Sequence, residues 1–498
     1  MATLTLSLVS HTNAGKTTLA RTLLWRDIGQ VRDAPHVTEF AESHDLIETP
    51  EGDRLRLWDT PGFGDSARLV RRLRAREQPL GWLLSQVWDR WRERPFWASQ
   101  QALRHVQAES DVVLYLVNAA ESPASAGYVA PEMELLAWLG KPVLVLLNQL
   151  GAPRAAPEEA AEVQAWREHL ARWPFVRAVL PLDAFARCWV HEHTLLRAVQ
   201  DLLPAERADA MARLTAAWLA QREATFDAAM HTLAQSLART AALREPVAPA
   251  AGLGERLRQL GATLARSAGG SSGDGSGEDG DPAAAAQHRL VQAAQAEARE
   301  STAQLVALHG LQGRVEDEII GRVQAQFAVR ERVPEGRAAI LGGALTGALT
   351  GLKADLLSGG LTLGGGLLAG GLLGALGAAG LARGINVLRD TGRSWVAFSD
   401  EAMAPLVQAA LLRYLAVAHF GRGRGDWVQG EAPPHWPAAV AQALAPHAPA
   451  LAALWAARSP RFENPGEDQT LATALQPLLQ DAARTVFERL YPGGLLGR

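Results

Sequence analysis

One eight-residue stretch near the start of the chain, Ser10 to Thr17, most constrains the fold. It reads Ser-His-Thr-Asn-Ala-Gly-Lys-Thr and lies between a short apolar run and a helical pattern. A strand, a loop ending in Gly-Lys-Thr and a helix form a phosphate-binding loop, although Ser10 replaces the first glycine of that pattern. Backbone N–H groups can surround phosphate oxygens there, while the Lys16 ammonium offsets their charge and the Thr17 hydroxyl binds Mg²⁺. The sequence therefore predicts a nucleoside triphosphate site at this loop.

The first 204 residues alternate short apolar runs with amphipathic helical segments. Five runs have the length and composition of strands: Leu4 to Val9, Leu55 to Trp58, Val112 to Val117, Val143 to Leu147 and Val176 to Leu180. This alternation is typical of a mostly parallel sheet with helices on both faces. Beyond residue 204, strand patterns nearly vanish and long stretches rich in Ala, Leu, Arg, Glu and Gln follow. We therefore expect an α/β P-loop domain followed by a mainly α-helical domain.

Changes in composition suggest where the domains begin and end. We expect a nucleotide-binding domain over residues 1–204, with a basic insertion at 66–108, and a helical domain over 205–498. Residues 267–282 consist mainly of Gly, Ser and Asp, which predicts a flexible linker. The helical stretches on either side of this linker could pack as an antiparallel pair.

Charge and cysteine content limit the classes of protein and compartment. The 498 residues carry a formal net charge of −4, which argues against a nucleic-acid-binding surface along the whole chain. Cys188 is the only cysteine, so an intramolecular disulfide is excluded and a reducing compartment fits. The N-terminal residues lack the pattern of a signal peptide. A cytoplasmic location is therefore expected.

A second motif follows the apolar run that ends at Trp58. Asp59-Thr60-Pro61-Gly62 places a carboxylate at a strand end, where it can hold the Mg²⁺ shell, and a glycine N–H that can contact a γ-phosphate. An ordinary Pro-Gly turn is the alternative. Thr38, between the two motifs, can close on Mg²⁺ as a first switch, unless it is only a surface threonine.

Together these motifs resemble the translation-factor-related GTPases, specifically the Era-like group. The whole chain also resembles, more weakly, a bacterial family in which such a domain precedes an uncharacterised Gly-rich helical domain. The resemblance implies Mg²⁺ and GTP or GDP as ligands, catalytic roles for Lys16, Thr38 and Gly62, and Mg²⁺ ligation by Thr17, Thr38 and Asp59. It assigns nucleotide contacts to Ser10, His11, Thr12, Asn13, Ala14, Gly15, Lys16, Thr17, Thr18, Asn148, Gln149 and Ala184. Asn13 matches an asparagine that coordinates an activating K⁺ in some relatives, although a structural loop asparagine is the alternative.

Two departures from the family pattern affect base recognition and catalysis. Where the family has Asn-Lys-x-Asp, this chain has Asn148-Gln149-Leu-Gly151, and Gly151 removes the carboxylate that would accept hydrogen bonds from guanine. Asp183 could compensate in part. Phe63 stands after Gly62, where a glutamine can position water in relatives, so slow turnover aided by a second subunit, a cation or an activating protein is expected.

A basic segment follows the second motif. Residues 66–108 contain nine arginines, three acidic residues and four tryptophans. Arginine and tryptophan on amphipathic helices suit an anionic membrane surface, a protein partner or RNA. The alternative is that the tryptophans pack onto the protein's own helical half and the arginines are solvated.

Residues 338–382 are apolar and rich in glycine. Gly343, Gly347 and Gly351 are spaced by four residues, a spacing that permits close helix packing in a membrane. Water-soluble helices tolerate glycine poorly, so a membrane-associated hairpin is favoured over a buried one.

Three functions remain open from the sequence. The first is a GTP-dependent switch with slow Mg²⁺-dependent hydrolysis at the cytoplasmic face of a membrane, acting as a homodimer or with an activating protein. The second is a membrane-inserting structural protein with a non-hydrolysing nucleotide domain. The third, a ribosome- or RNA-associated GTPase, has less support because no RNA-binding module is recognisable in the C-terminal half.

Overall fold

The computed structural model describes residues 1–25, 42–85, 94–150, 156–183, 188–247, 282–311, 385–390, 393–420, 433, 435–458 and 466–492. Several sequence predictions lie outside these ranges: those for Thr38, Gly151, Ala184, the linker 267–282 and the hairpin 338–382.

The N-terminal part is built around a six-stranded sheet. Its strands are β1 (Thr3–Ser10), β2 (Glu42–Glu48), β3 (Arg54–Asp59), β4 (Val112–Asn118), β5 (Val143–Asn148) and β6 (Val176–Pro181). They lie in the order β2-β3-β1-β4-β5-β6, and only β2 is antiparallel to its neighbour. The five strands predicted from the sequence are the five parallel ones. The polar edge strand β2 has too little apolar alternation to be recognised from sequence.

The helices of this part lie on both faces of the sheet, as predicted. They are α1 (Lys16–Leu24), α2 (Ser66–Arg74), α3 (Pro79–Ser85), α4 (Arg94–Glu109), α5 (Val129–Ala137), α6 (Ala156–Leu170) and α7 (Trp189–Gln200). Successive side chains of a strand point to opposite faces, and here both faces are buried. Leu6 and Leu8 belong to one apolar cluster with α1 and α7, whereas Val9 and Val113 belong to a second cluster with α2, α4, α5 and α6.

The C-terminal part is mainly helical. It contains α8 (Ala205–Ala242), α9 (Pro282–Leu308), α10 (Asp400–Ala418), α11 (Trp436–Leu444), α12 (Ala448–Ala457) and α13 (Glu467–Leu490), with a 3₁₀ turn at Ala445–His447. The long helices α8 and α9 pack antiparallel, as expected for the stretches that flank the linker. Arg239 near the end of α8 pairs with Glu297 in the middle of α9, with 2.6 Å between Nη2 and Oε1.

A small antiparallel sheet in the C-terminal part was not predicted. Its strands β7 (Glu245–Val247), β8 (Ile385–Asp390) and β9 (Arg393–Phe398) lie in the order β7-β9-β8. β7 directly follows the long helix α8 and is only three residues long. A strand of that length has no recognisable period in the sequence.

One apolar core is common to the two parts. The cluster on the Leu6 face of the sheet continues through α8, α9, α10 and α13 without interruption. Ion pairs reinforce this contact at its edge: Arg213 of α8 binds Asp53 with 2.6 Å between Nη2 and Oδ2, and Arg207 pairs with Asp111. The nucleotide-binding part is therefore joined to the helical part by one continuous apolar cluster, which includes α1 and α7 on this side of the sheet.

The end of α1 enters this contact. The guanidinium of Arg222 lies 3.6 Å from the ring centroid of Trp25, and the Trp25 indole N–H donates to Glu192 Oε1 at 3.3 Å. His309 stacks on the same indole with 5.7 Å between ring centroids. Trp25 thus joins the phosphate-loop helix to α7, α8 and the end of α9.

Among the described helices, α10 alone is long and apolar enough to cross a membrane. However, 67% of its most apolar window is buried inside the protein, and a core helix passes the same test.

The described part of the basic segment folds against the nucleotide-binding domain. Asp65 caps α2 by accepting a hydrogen bond from Arg68 N at 3.0 Å. The guanidiniums of Arg68 and Arg72 lie 5.4 and 4.5 Å from the ring centroid of Phe96, and Arg76 lies 4.7 Å from that of Trp82. Trp82 packs on the domain's own second apolar cluster.

Candidate nucleotide-binding site

The loop between β1 and α1 has the backbone shape that its sequence predicts. Gly15 adopts φ +89°, and a Cβ atom there would lie 2.6 Å from the Asn148 side-chain nitrogen. Asn13 also has a positive φ, of 67°. A side chain at position 15 would therefore be strained and would collide with Asn148, which explains the glycine. The loop leads directly into α1, whose first residue is Lys16.

Lys16 is held inside this loop. Its side chain is buried, and Nζ donates to Ser10 Oγ at 3.0 Å. Burial lowers the pKa of the Lys16 ammonium from its ordinary value, while the carboxylates of Asp59 and Glu132 act in the opposite direction. Ser10, where the loop pattern has glycine, thus contributes a hydroxyl that orients the lysine.

Thr17 and Asp59 supply two oxygen ligands at one place. Thr17 Oγ1 donates to Asp59 Oδ2 at 2.5 Å. Thr60, next in the chain, anchors this segment by donating to the Leu8 carbonyl at 2.6 Å. Mg²⁺ prefers oxygen ligands and is commonly bound by one or two protein groups together with substrate phosphates. The hydroxyl and the carboxylate fit that ion.

The segment after Asp59 pairs with the phosphate-binding loop. Phe63 N donates to the Ser10 carbonyl at 2.9 Å, and Thr12 N donates to the Phe63 carbonyl at 3.1 Å. A Cβ atom at Gly62 would lie only 3.0 Å from Lys16 Nζ and 3.1 Å from Thr12 Cα. Glycine allows this close approach between the two loops.

The Phe63 side chain belongs to the core. It is fully buried in the second apolar cluster. Its ring therefore anchors the segment that follows Gly62.

The predicted base-recognition residues lie at the carboxyl ends of β5 and β6. Asn148 is fully buried, and its side-chain nitrogen donates to the Ala14 carbonyl at 2.8 Å. Gln149 has φ +61° and follows it. Asp183 is buried, and its Oδ2 accepts a hydrogen bond from Leu150 N at 2.8 Å. The Asp183 carboxylate therefore lies beside the loop in which the family pattern has an aspartate and this chain has Gly151.

Sequence reasoning missed Glu132, which lies on α5 and is fully buried. Its Oε1 is 2.7 Å from His11 Nδ1 and accepts from Ser66 Oγ at 2.8 Å, while its Oε2 accepts from the Tyr115 hydroxyl at 2.6 Å. Burial raises the pKa of Tyr115 well above its ordinary value. The only sequence signal for this group was an acidic residue on the apolar helix Val129–Ala137.

The predicted site residues among the described ranges therefore come together at the carboxyl ends of the parallel strands. The loop residues Ser10–Thr17, the pair Asp59 and Gly62, and Asn148 are linked by direct contacts. Thr18 is buried within α1 next to Thr17.

Two family models match the sequence. Residues 5–149 match the family described as 50S ribosome-binding GTPase, and residues 326–476 match a domain of unknown function, DUF3482. No curated protein matches the chain.

Solved structures of GTPases are similar over part of the chain. A variant of Aquifex aeolicus Era bound to GDP and aluminium fluoride is 16% identical with a TM-score of 0.29, covering 41% of this chain and 58% of that one. Era in complex with MgGDPNP and a fragment of 16S ribosomal RNA is 17% identical with a TM-score of 0.30 and the same coverages. NFeoB from S. thermophilus bound to GMPPNP is 14% identical with a TM-score of 0.24, covering 47% and 72%.

The match thus spans under two thirds of the Era chains, and these TM-scores are low. The assignment rests on the family model together with the phosphate-binding loop and the Asp59 motif. The chain accordingly carries an N-terminal P-loop domain that matches, over residues 5–149, the family described as 50S ribosome-binding GTPase, and a separate C-terminal domain of unknown function over residues 326–476.

Proposed function

We propose that the protein is a GTP-dependent molecular switch that hydrolyses GTP slowly with Mg²⁺. The supporting observation is the junction of Lys16, Thr17, Asp59 and Gly62 around one loop. Lys16 neutralises phosphate charge, Thr17 and Asp59 hold Mg²⁺ together with Thr38, and the Gly62 N–H meets the γ-phosphate. Mg²⁺ supplies charge neutralisation on the phosphate oxygens.

The proposal of slow turnover rests on Phe63. Its buried ring can neither donate nor accept a hydrogen bond to the attacking water. Water positioning or charge stabilisation then comes from a second copy of the chain, an activating protein or a cation such as K⁺ at Asn13. Equal turnover in sodium and potassium buffers would count against the role of Asn13.

Guanine recognition, in this proposal, uses Asp183 in place of the missing carboxylate at Gly151. The hydrogen bond between Asp183 and Leu150 N sets that carboxylate beside the base-recognition loop. A carboxylate can accept hydrogen bonds from guanine N1–H and the exocyclic amine, the groups that distinguish guanine from adenine.

We further propose that the switch acts at the cytoplasmic face of a membrane. Arg68 and Arg71 are exposed along α2, immediately after the proposed second switch, and the neighbouring Arg74 pairs with Glu134 of α5. Cationic side chains on one helix face are attracted to anionic lipid headgroups. Binding of the full chain to anionic but not neutral vesicles, in the presence of GTP, would support this location.

The central test is nucleotide binding by the full-length protein. A labelled GTP analogue should bind with Mg²⁺, and Lys16→Ala should abolish that binding. Lys141→Ala is a matched control, because Lys141 lies before β5, a strand whose opposite end carries Asn148. If the wild-type chain binds neither GTP nor GDP, the switch function is wrong.

A further inference from the structure

A buried carboxylate connects the phosphate-binding loop with the helix that follows the second switch. Glu132 of α5 has no exposed surface and contacts donors from three other elements. His11 belongs to the loop, Ser66 is the first residue of α2, and Tyr115 lies in the centre of β4. All three contacts are between 2.6 and 2.8 Å long.

The position of this carboxylate is strongly determined. A buried charge is costly unless it is paired and hydrogen-bonded, and a buried carboxylate that loses a partner is left uncompensated. His11 is further fixed by stacking on Tyr128, with 4.8 Å between ring centroids. A movement of α2 away from the loop and from α5 would break the bond between Ser66 and Glu132, since Glu132 is also bonded to Tyr115 of β4.

Ser66 lies three residues after Phe63, whose backbone pairs with Ser10 and Thr12. The same segment holds Gly62 against Lys16, the lysine that faces the terminal phosphates. A γ-phosphate must touch both Lys16 and the Gly62 N–H, whereas GDP has no group that reaches Gly62. Whatever holds α2 close to the loop therefore favours GTP over GDP.

We infer that His11, Glu132 and Ser66 form a positioning bridge that holds the second switch against the phosphate-binding loop and thereby sets the preference for GTP over GDP. This inference rests on the proposed function. Glu132 and Ser66 lie outside the predicted nucleotide contacts, so they act through Gly62, whereas His11 is part of the phosphate-binding loop itself. The bridge raises the affinity for a nucleotide that has a γ-phosphate and leaves the affinity for GDP unchanged.

The test compares affinities for the non-hydrolysable analogue GMPPNP and for GDP in full-length variants. Ser66→Ala should lower the ratio of GMPPNP to GDP affinity about ten-fold, the range expected for one hydrogen bond to a charged group, with little change for GDP. Glu132→Gln should lower the ratio at least as much. His11→Gln, which keeps an N–H donor, should retain more of the ratio than His11→Ala.

Ser110→Ala is the matched control. Ser110 shares a buried hydrogen bond with Ser7, so this variant also loses one buried serine bond, but just before β4 and without a contact to Glu132 among the bonds described. Its affinity ratio should equal that of the wild type. If Glu132→Gln does not fold, the exchange at Ser66 still decides the question.

The outcomes separate this inference from the proposed function. A wild-type chain that binds neither nucleotide overturns both. A wild-type chain that prefers GMPPNP, together with a Ser66→Ala variant of unchanged ratio, overturns the bridge alone. A ratio that rises in Ser66→Ala would also overturn it, because the bridge would then oppose GTP.

Discussion

The hydroxyl of Thr17 donates a hydrogen bond to the carboxylate of Asp59 across 2.5 Å, joining two motifs that are 42 residues apart in the chain. The family resemblance assigned both groups to one Mg²⁺ ion, and the structure brings their oxygens into direct contact. We propose that a divalent ion and the phosphates meet at this contact.

Replacing Thr17 by alanine should therefore remove Mg²⁺-dependent affinity selectively. We expect GTP to bind about ten-fold or more weakly in Mg²⁺ and with unchanged affinity in EDTA, since one metal ligand is lost. Titration of a fluorescent GTP analogue measures both values. Thr22→Ala is the control, because Thr22 lies on the same helix, five residues after Thr17, and its hydroxyl donates to the Thr18 carbonyl. A similar loss in EDTA would contradict a metal role.

Asp183→Asn should exchange base preference. Asparagine can still accept the hydrogen bond from Leu150 N, so the loop is retained, but it offers the base an N–H where the carboxylate offered an acceptor. We expect GTP affinity to fall about ten-fold or more and XTP affinity to rise, as measured by competition binding. Equal losses for both nucleotides would instead assign Asp183 a structural role.

Phe63→Gln should not produce a faster enzyme. The Phe63 side chain is fully buried among apolar groups, so glutamine there adds an unsatisfied amide and should lower the free energy of unfolding by about 3 kcal/mol. Single-turnover hydrolysis should remain slow. Phe63→Leu, which stays apolar, should keep the wild-type rate with a smaller loss of stability. A faster Phe63→Gln variant would show that the ring faces the nucleotide.

The Arg222 and Glu192 pair gives a test of the contact between the two parts. Their charged groups are 4.0 Å apart, and the side chains are only 10% and 3% exposed. Arg222→Ala leaves Glu192 without this cation and removes the contact with Trp25, so we expect a loss of about 3 kcal/mol in unfolding free energy. Arg54→Ala breaks an exposed pair with Glu48 and should cost less than about 1 kcal/mol. Urea denaturation of both variants compares the two environments.

Two buried histidines predict loss of stability in mild acid. Burial lowers the pKa of His309 and of His419 from 6.5 to about 4. In the unfolded chain both regain their ordinary pKa, so between about pH 6.5 and 4 the unfolded state binds more protons. Stability should fall by roughly 1.4 kcal/mol per pH unit for each histidine over that window. His309→Gln and His419→Gln should flatten the pH dependence of unfolding.

Much of the nucleotide-binding part could be predicted because its signals are local. A strand is predicted by the alternating Leu4, Leu6 and Leu8. The phosphate-binding loop is predicted by Gly15-Lys16-Thr17, a few residues after that strand. The buried group around Glu132 could not be predicted, since His11 and Glu132 are separated by 121 residues and meet only through the fold. The polar strand β2 and the three-residue strand β7 form because they pair with neighbouring strands. Their own residues carry no pattern from which a strand could be predicted.

The orientation of Phe63 shows a second limit. The sequence shows that Phe63 lacks a hydrogen-bonding group that could position a water molecule. It does not show whether the ring lies in the core or in the site, because that depends on contacts with distant residues such as Phe96 and Leu103 of the same apolar cluster.

The apolar core that runs from the sheet into α8, α9, α10 and α13 has a consequence for how the protein can be taken apart. A chain cut near Pro204 would expose to water the apolar residues of the nucleotide-binding part that pack against the helical part. Fragments with such an exposed apolar surface aggregate or bind another protein there. The two parts should therefore melt in a single transition and resist separation by proteases. Over evolutionary time, neither part can be exchanged for an unrelated one without rewriting the surface of the other.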